Sequence, residues 1–243
     1  MKRTPFLDAV LEAARRIDAL LKEGWHDRYG RKGDVGAGGD RTATIDTLAE
    51  EIYIEHLSFL GAIDSEEKGL VGSGEAAIVL DPIDGSDNAI SGLPYFGSSI
   101  ARVEGGVTKE GAVVNLANGE IFYKNEEGFV RGRLDGESFA PVRARSNATI
   151  GIFEKAYAHP GLALALLKQK RKFRSPGAVA LSLAYAHYVD FVVFAGPRRR
   201  YDFAAALWMC EELEVLEEEE LLIVAKNEET ARSLRRLAHG EEG

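Results

Sequence analysis

The stretch Leu80-Asp81-Pro82-Ile83-Asp84-Gly85-Ser86-Asp87-Asn88 constrains this chain more than any other. It follows the apolar run 76–80, which predicts a buried strand that ends at Asp81. Pro82 biases the residue before it away from helix, and Gly85 permits a turn. The residues 86–88, Ser-Asp-Asn, are good helix-start residues, so a helix is predicted to open at Gly85-Ser86. Two carboxylates on such a kinked turn can face one cleft, beside backbone N–H groups that suit a phosphate.

Two interpretations of this stretch stay open from its residues alone. Asp, Pro and Gly dominate ordinary polar turns, so the stretch could be only a turn. Carboxylate oxygens are also the ligands that Mg²⁺ prefers, so it could be half of a metal site beside an anion-binding helix start.

The flanking sequence gives the stretch a family resemblance. It continues as Asn88-Ala89-Ile90-Ser91-Gly92-Leu93-Pro94-Tyr95-Phe96 and Ser98-Ser99-Ile100. This pattern resembles the signature of the inositol monophosphatase family of Mg²⁺-dependent, Li⁺-sensitive sugar phosphatases. It is most similar to the archaeal type, which combines inositol monophosphatase and fructose-1,6-bisphosphatase activity. The resemblance runs from about Asp40 to Ala206, with Ser86 where members usually carry Thr.

Periodicity along the chain predicts an α/β fold of the layered α+β sandwich type. Helical spacing predicts a helix over Pro5–Lys22, and short apolar runs over 98–133 predict an antiparallel meander. Strands and helices, among them a helix predicted over Phe203–Leu213, alternate from Ala148 onward, which is typical of an α/β lobe. We therefore expect an N-terminal lobe of helices and antiparallel sheet over 1–145 that carries the metal motifs. A C-terminal α/β lobe over 146–243 should share one catalytic cleft with it, as in the sugar-phosphatase fold that the resemblance implies.

Composition and net charge limit the binding partners and the cellular compartment that we expect for this chain. A net charge of −9 argues against a nucleic-acid binder, and no apolar run approaches the ~20 residues of a membrane span. The single cysteine, Cys210, cannot form an internal disulfide, and the N-terminus does not read as a signal peptide, so a cytoplasmic protein is expected. The resemblance implies a small-molecule phosphate ester as substrate and a homodimer.

A glycine-rich segment, Gly24 to Arg41, predicts a loop that is either a disordered connection or an active-site lid. The resemblance favours the lid, because the family has a mobile metal-dependent loop here. It also implies that Asp40 is a ligand of a third metal ion.

The resemblance assigns a ligand set for Mg²⁺, for which Mn²⁺ can substitute. Glu66, Asp81, Asp84 and Asp202, with the backbone carbonyl of Ile83, would hold two ions, or three with Asp40. Read without the family, Glu66 belongs to an acidic pair typical of solvated surface, and Asp202 is typical of a helix N-cap.

Catalytic roles follow from the same resemblance. Asp46, near a helix start, could serve only as a favourable partner of the helix dipole. In the family, an Asp at this point works with the hydroxyl after Asp-Gly to orient the attacking water, which here pairs Asp46 with Ser86. Glu66 is counted with them as a catalytic residue, and no phosphoenzyme is needed.

Substrate contacts are assigned to two groups of residues. Asp84, Gly85 and Ser86 would surround the reacting phosphate, whereas Arg174 and Val179 match positions that contact the sugar phosphate in archaeal members. Arg199, within 198–200, suits a second phosphate, although a plain surface charge cluster remains an alternative.

Three functions remain open at this stage. The first is hydrolysis of inositol monophosphate and/or fructose 1,6-bisphosphate by metal-activated water. The second is hydrolysis of 3′-phosphoadenosine 5′-phosphate or another nucleotide, and the third is a non-catalytic accessory role. A nucleotide-dependent redox enzyme is disfavoured, because no G-x-G-x-x-G follows a strand and opens a helix. Inositol-specific members carry Glu where this chain has Ala195.

Overall fold

Helices and sheets alternate in five layers in the computed structural model, which describes residues 2–241. One hydrophobic core lies between the N-terminal helices and the larger sheet. A second core surrounds the short helices between the two sheets, and a third lies under the helices on the outer face of the smaller sheet. This arrangement confirms the predicted layered α/β fold, whereas the division at 145/146 stays a prediction.

Two long helices, α1 (Pro5–Lys22) and α2 (Thr44–Leu57), cover the outer face of the larger sheet. The prediction for α1 is confirmed, and Thr4 caps this helix by accepting a hydrogen bond from the Leu7 N–H at 3.1 Å. Because α2 begins at Thr44, Asp46 lies in its first turn, where its side chain is buried.

The glycine-rich segment before α2 forms a hairpin rather than an irregular connection. A short 3₁₀ turn (Asp27–Gly30) precedes β1 (Lys32–Val35), which pairs antiparallel with β2 (Arg41–Ala43). The disordered interpretation is therefore wrong for this part of the loop. Its role as a lid stays a prediction.

The larger sheet has eight strands in the order β10-β9-β8-β7-β6-β5-β3-β4. Neighbouring strands run antiparallel except β3 and β5, which are parallel, so the predicted meander over 98–133 is confirmed. The strands are β3 (Ala62–Ser65), β4 (Gly69–Val71), β5 (Ala76–Asp84), β6 (Gly97–Glu104), β7 (Val107–Asn115), β8 (Glu120–Asn125), β9 (Gly128–Arg133) and β10 (Ala140–Pro141).

Strand β5 runs farther than the sequence predicts, through Pro82 to Asp84. The expectation that it ends at Asp81 is wrong, because β6 continues to pair with it: Asp81 faces Ser99 and Asp84 faces Gly97. The register shifts between these two pairs, which marks a bulge of one extra residue in β5. Proline has no N–H to donate, so the bulge accommodates it without the loss of a ladder hydrogen bond.

A short helix, α3 (Ser86–Ser91), starts immediately after β5, as predicted. Gly85 precedes it with a φ of 87°, a left-handed conformation that favours glycine. A Cβ at Gly85 would lie only 3.0 Å from the Ala178 Cβ and 3.1 Å from the Gly177 carbonyl oxygen. The chain from the second half of the molecule thus approaches this turn closely.

The smaller sheet has five strands in the order β12-β11-β13-β15-β14. Its strands are β11 (Gly151–Glu154), β12 (Phe173–Arg174), β13 (Phe191–Ala195), β14 (Glu214–Glu217) and β15 (Leu221–Ala225). Strand β11 runs parallel to both β12 and β13. Helices α4 (Pro160–Lys168) and α7 (Glu228–Ala238) pack on its outer face, while α5 (Val179–Ala184) and α6 (Arg200–Phe203) lie between the sheets.

The helix that the sequence predicts over Phe203–Leu213 does not form as one element. Residues Arg200–Phe203 form α6, and a separate 3₁₀ turn covers Trp208–Cys210. Within residues 2–241, the helices are too short or too polar to cross a membrane.

Candidate active site

The predicted motifs converge on one cleft with a volume of about 500 Å³. Its walls come from the β1–β2 hairpin, the ends of β3, β5 and β11, and the starts of α3 and α5. It is lined by Lys32, Asp40, Arg41, Asp46, Glu66, Glu67, Asp81, Ile83, Asp84, Gly85, Ser86, Asp87, Glu154, Lys155, Tyr157, Gly177, Val179 and Arg199.

Three buried carboxylates lie close together, and we call them the acid cluster: Glu66, Asp81 and Asp202. Glu66 and Asp81 line the cleft, whereas Asp202 is not among the residues that line it. One oxygen of each lies within 4.8 Å of an oxygen of the others. Glu66 follows β3, Asp81 lies in β5 next to the bulge, and Asp202 lies in α6. Two parallel strands and a helix from the second half of the chain therefore bring one carboxylate oxygen each to this cluster.

The environment of the Asp81 carboxylate indicates which kind of ligand fits the acid cluster. Its side chain is 1% exposed, and within residues 2–241 neither carboxylate oxygen has a hydrogen-bond donor. Burial raises the pKa of Asp81 well above its usual value, and the charges of Glu66 and Asp84 raise it further. Buried carboxylate oxygens without donors are costly, and hard divalent cations such as Mg²⁺ prefer such ligands. The residues present therefore fit a divalent cation.

Arg199 lies against the acid cluster rather than facing open solvent. Its Nη1 is 2.6 Å from Glu66 and 2.7 Å from Asp40, and its Nε is 3.1 Å from Asp202. Burial raises the pKa of Glu66 to about 7, although the Arg199 charge opposes that rise. Burial likewise raises the pKa of Asp202, against the charges of Arg199 and Lys155.

This placement affects two sequence-based assignments. Asp40, the predicted third-metal ligand, is mostly exposed and paired with Arg199, outside the acid cluster. Arg199, the predicted contact of a second phosphate, is engaged with three carboxylates. Both assignments stay predictions.

Asp84 is buried like Asp81, but both of its oxygens accept backbone hydrogen bonds. The Val179 N–H donates to Oδ1 at 2.8 Å and the Leu181 N–H donates to Oδ2 at 3.0 Å, at the start of α5. Burial and the charge of Asp202 raise its pKa, while these two donors lower it. The structure therefore joins Asp84 to α5 and does not include it in the acid cluster.

Asp46 and Ser86 form the predicted pair. Ser86 Oγ lies 2.8 Å from Asp46 Oδ1 and 3.0 Å from the carbonyl oxygen of Ile83, and it can donate its proton to either. Asp46 Oδ2 accepts a hydrogen bond from the Ala43 N–H at 2.7 Å. Burial raises the pKa of Asp46 to about 6, although both hydrogen bonds oppose it. The Ile83 carbonyl, a predicted metal ligand, is near Ser86 in this arrangement.

The two remaining substrate candidates differ in position. Val179 lines the cleft and is buried. Arg174 is exposed, donates to the Phe173 carbonyl oxygen at 2.9 Å, and is not among the cleft-lining residues. The structure thus brings Val179, but not Arg174, to the cleft.

The β1–β2 hairpin reaches the acid cluster through backbone contacts. The Gly38 N–H donates to the Glu66 carbonyl oxygen at 2.6 Å, and the Ala37 N–H donates to that of Glu67 at 3.0 Å. A Cβ at Gly38 would collide with the Glu66 side chain. Glycine at this position lets the hairpin lie directly on a member of the acid cluster.

Sequence reasoning missed Glu154 and Lys155, which both line the cleft. They stand at the carboxyl end of β11, between two parallel neighbours. Ligands commonly bind beyond the carboxyl ends of parallel strands, so the position of these two residues at such a strand end could have identified them as site candidates.

Three comparisons relate the chain to known proteins. The profile of the inositol monophosphatase family matches residues 2–214. The fructose-1,6-bisphosphatase/inositol-1-monophosphatase of Thermococcus kodakarensis is 34% identical over 162 residues, which are 65% of this chain and 60% of that protein. The solved structure of the Thermotoga maritima IMPase superposes with a TM-score of 0.76 at 25% identity, covering 98% of this chain and 100% of that one.

Another relative is named for a different activity. The bifunctional NADP phosphatase/NAD kinase of Methanocaldococcus jannaschii is 28% identical over an alignment of 248 positions, which covers 85% of this chain and 42% of that protein. The match therefore spans less than two thirds of the length of either relative.

Proposed function

Since the chain belongs to the inositol monophosphatase family, we propose that it is a phosphoric monoester hydrolase acting on sugar or polyol phosphates. Inositol monophosphate and fructose 1,6-bisphosphate are the proposed substrates, in line with the name of the Thermococcus relative. The observation that carries the proposal is the acid cluster, in which Asp81 keeps both buried oxygens free of donors.

We propose Mg²⁺ as the cofactor, with Mn²⁺ able to substitute, held by Glu66, Asp81 and Asp202. The proposed number is two or three ions, with Asp84, the Ile83 carbonyl and Asp40 as further ligands. When bound, such ions neutralise phosphate oxygens and lower the pKa of water. Ca²⁺ prefers longer bonds and looser geometry, so it is expected to inhibit.

The protein's own contribution to the reaction would be to position water and substrate. Asp46 can hold the Ser86 proton, which leaves a lone pair on Ser86 Oγ to accept a hydrogen bond from the attacking water. The turn at Gly85-Ser86 presents backbone N–H groups to the reacting phosphate. Positioning of this kind removes part of the entropic cost of the reaction.

A panel of phosphate esters assayed with Mg²⁺, with Mn²⁺ and with excess chelator tests the proposal. We expect turnover of inositol 1-phosphate or fructose 1,6-bisphosphate with either ion and its loss in chelator. Full activity in chelator would show that the metal assignment is wrong. The mass of the particle in solution, measured by light scattering, tests the proposed homodimer.

A nucleotide phosphatase is the second candidate, because the NADP phosphatase relative aligns over 85% of this chain. Turnover of NADP and of 3′-phosphoadenosine 5′-phosphate should be compared with that of fructose 1,6-bisphosphate at equal enzyme concentration. A higher kcat/KM for either nucleotide would favour this candidate.

A further inference from the structure

Lys155 stands at the edge of the cleft in a conformation that is unusual for lysine. It follows β11 directly, and its backbone is left-handed with a φ of 58°. Such a conformation costs energy for a residue with a Cβ, so the surrounding structure must fix it. Lys155 lines the cleft together with Asp84, Gly85 and Ser86.

The preceding residue, Glu154, is itself held in place by hydrogen bonds. Its side chain is 1% exposed, and its Oε2 accepts a hydrogen bond from the Gly177 N–H at 2.9 Å. Its other oxygen accepts a hydrogen bond from the Ser182 hydroxyl. The residue before Lys155 is therefore bound at both oxygens to the segment that enters α5, the same segment that holds Asp84.

The Lys155 ammonium group contacts an aromatic ring and acts on the Asp202 carboxylate only at longer range. It lies 5.1 Å from the centroid of the Phe194 ring, a buried side chain that supports it from one side. Across residues 2–241, no carboxylate oxygen lies within 4.0 Å of it, whereas Lys32 pairs with Asp87 at 2.9 Å and Arg199 pairs with three acids.

The order of residues across the cleft indicates what the ammonium group could bind. Gly85 packs against Gly177 and Ala178, and Gly177 in turn binds Glu154. The turn proposed to bind the reacting phosphate and Lys155 both line this cleft of about 500 Å³. A ligand seated on that turn could therefore also contact Lys155.

We propose that Lys155 binds a second phosphate of the substrate and so gives the enzyme a preference for esters that carry two phosphate groups. A lysine ammonium acts on phosphate as a compact point charge, which suits a group that need not be held in one orientation. This assignment rests on the proposed function of the cleft, and it adds a residue that the sequence motifs do not include.

The test compares Lys155→Met with Lys170→Met. Lys170 is the matched control, because it also has a left-handed backbone, with a φ of 56°, but is exposed and does not line the cleft. Methionine keeps the length and apolar stem of lysine and removes the charge. Binding is measured by calorimetry with Ca²⁺ present, using fructose 1,6-bisphosphate, NADP and inositol 1-phosphate as separate probes.

We expect Lys155→Met to weaken binding of at least one of the two probes that carry additional phosphate by about tenfold. Inositol 1-phosphate should weaken by less than about twofold, and Lys170→Met should change none of the three. The probe that responds identifies whether the second phosphate belongs to a sugar bisphosphate or to a dinucleotide. The inference is overturned if all three probes weaken equally, if none weakens, or if the control variant matches Lys155→Met.

The binding measurement does not depend on turnover, so the two proposals can fail separately. If the Lys155 effect is present but no ester is hydrolysed with Mg²⁺, the phosphatase proposal is wrong and the binding assignment stands. If hydrolysis is normal and the Lys155 effect is absent, only the present inference fails.

Discussion

Two carboxylates of one motif have opposite hydrogen-bond environments, one in the acid cluster and the other at the start of α5. Asp81 and Asp84 are both buried, three residues apart in β5. Asp81 has no donor among residues 2–241, whereas Asp84 accepts a backbone N–H at each oxygen. Burial and residue type therefore do not define a role: one carboxylate lacks donors and is the proposed ligand of a cation, and the other joins β5 to a helix from the second half of the chain.

The largest expected effect is on metal-dependent turnover. Asp81→Asn keeps the shape of the side chain and removes one oxygen ligand and the charge. Because the cation would supply much of the transition-state stabilisation, kcat/KM with Mg²⁺ should fall by about 10²-fold or more. Steady-state kinetics and calorimetric titration with Mg²⁺ measure the loss.

Asp87→Asn is the control, because Asp87 lies in the same motif but is mostly exposed and paired with Lys32. Near-normal turnover of Asp81→Asn would show that the acid cluster is not the metal site.

In the presence of chelator, replacement of Asp by Asn should stabilise the protein at position 81 and destabilise it at position 84. Asp81→Asn removes a buried charge without donors and should raise the melting temperature. Asp84→Asn places an amide nitrogen against one of two N–H donors, which should cost about 1–3 kcal/mol, partly offset by relief of repulsion from Asp202. Thermal unfolding followed by circular dichroism measures both shifts, and shifts of one sign would contradict the comparison.

The stabilisation from Asp81→Asn should depend on pH. The folded-state pKa of Asp81 is raised from 3.8, so the wild-type carboxyl costs nothing below that pH, where it is neutral in both states. As the pH rises toward the folded pKa, only the unfolded chain releases the proton, and the wild type loses up to about 1.4 kcal/mol per pH unit. Melting temperatures of both proteins in chelator from about pH 4 to about pH 8 should therefore diverge. A constant difference would contradict the raised pKa.

The smallest effect is expected at the pair Asp46–Ser86. Ser86→Ala removes the hydroxyl that would orient water, and kcat should fall about tenfold with little change in KM. Ser86→Thr retains the hydroxyl and should stay close to the wild type. Ser91→Ala, an exposed serine in the same helix, is the control. Equal activity of Ser86→Ala and Ser91→Ala would remove Ser86 from the proposed mechanism.

Sequence patterns predicted the elements whose signals are local. The Thr4 cap and the apolar stripe defined α1, and the spacing of short apolar runs defined the meander. The patterns did not show that β5 continues past Pro82, because that depends on continued pairing with β6. The helix expected over Phe203–Leu213 breaks up where this segment packs between the two sheets.

For the site, sequence reasoning named the members of the acid cluster through a family resemblance, but it did not predict their partners. The contacts of Asp84 with α5 and of Arg199 with Glu66 join residues more than 90 positions apart, and no spacing rule reveals them. Lys155 was missed because a lone lysine after a strand has no motif.

The bulge in β5 has a consequence for how this motif can vary. In a regular strand, residues three apart point to opposite faces of the sheet. Here the bulge lets two acids three apart in β5 face partners that are two apart, Ser99 and Gly97, so both acids can point to the same face. Loss of the bulge with the spacing of the two acids unchanged would turn one of them toward the core under α1 and α2, so the geometry of this stretch is as restricted as its charge.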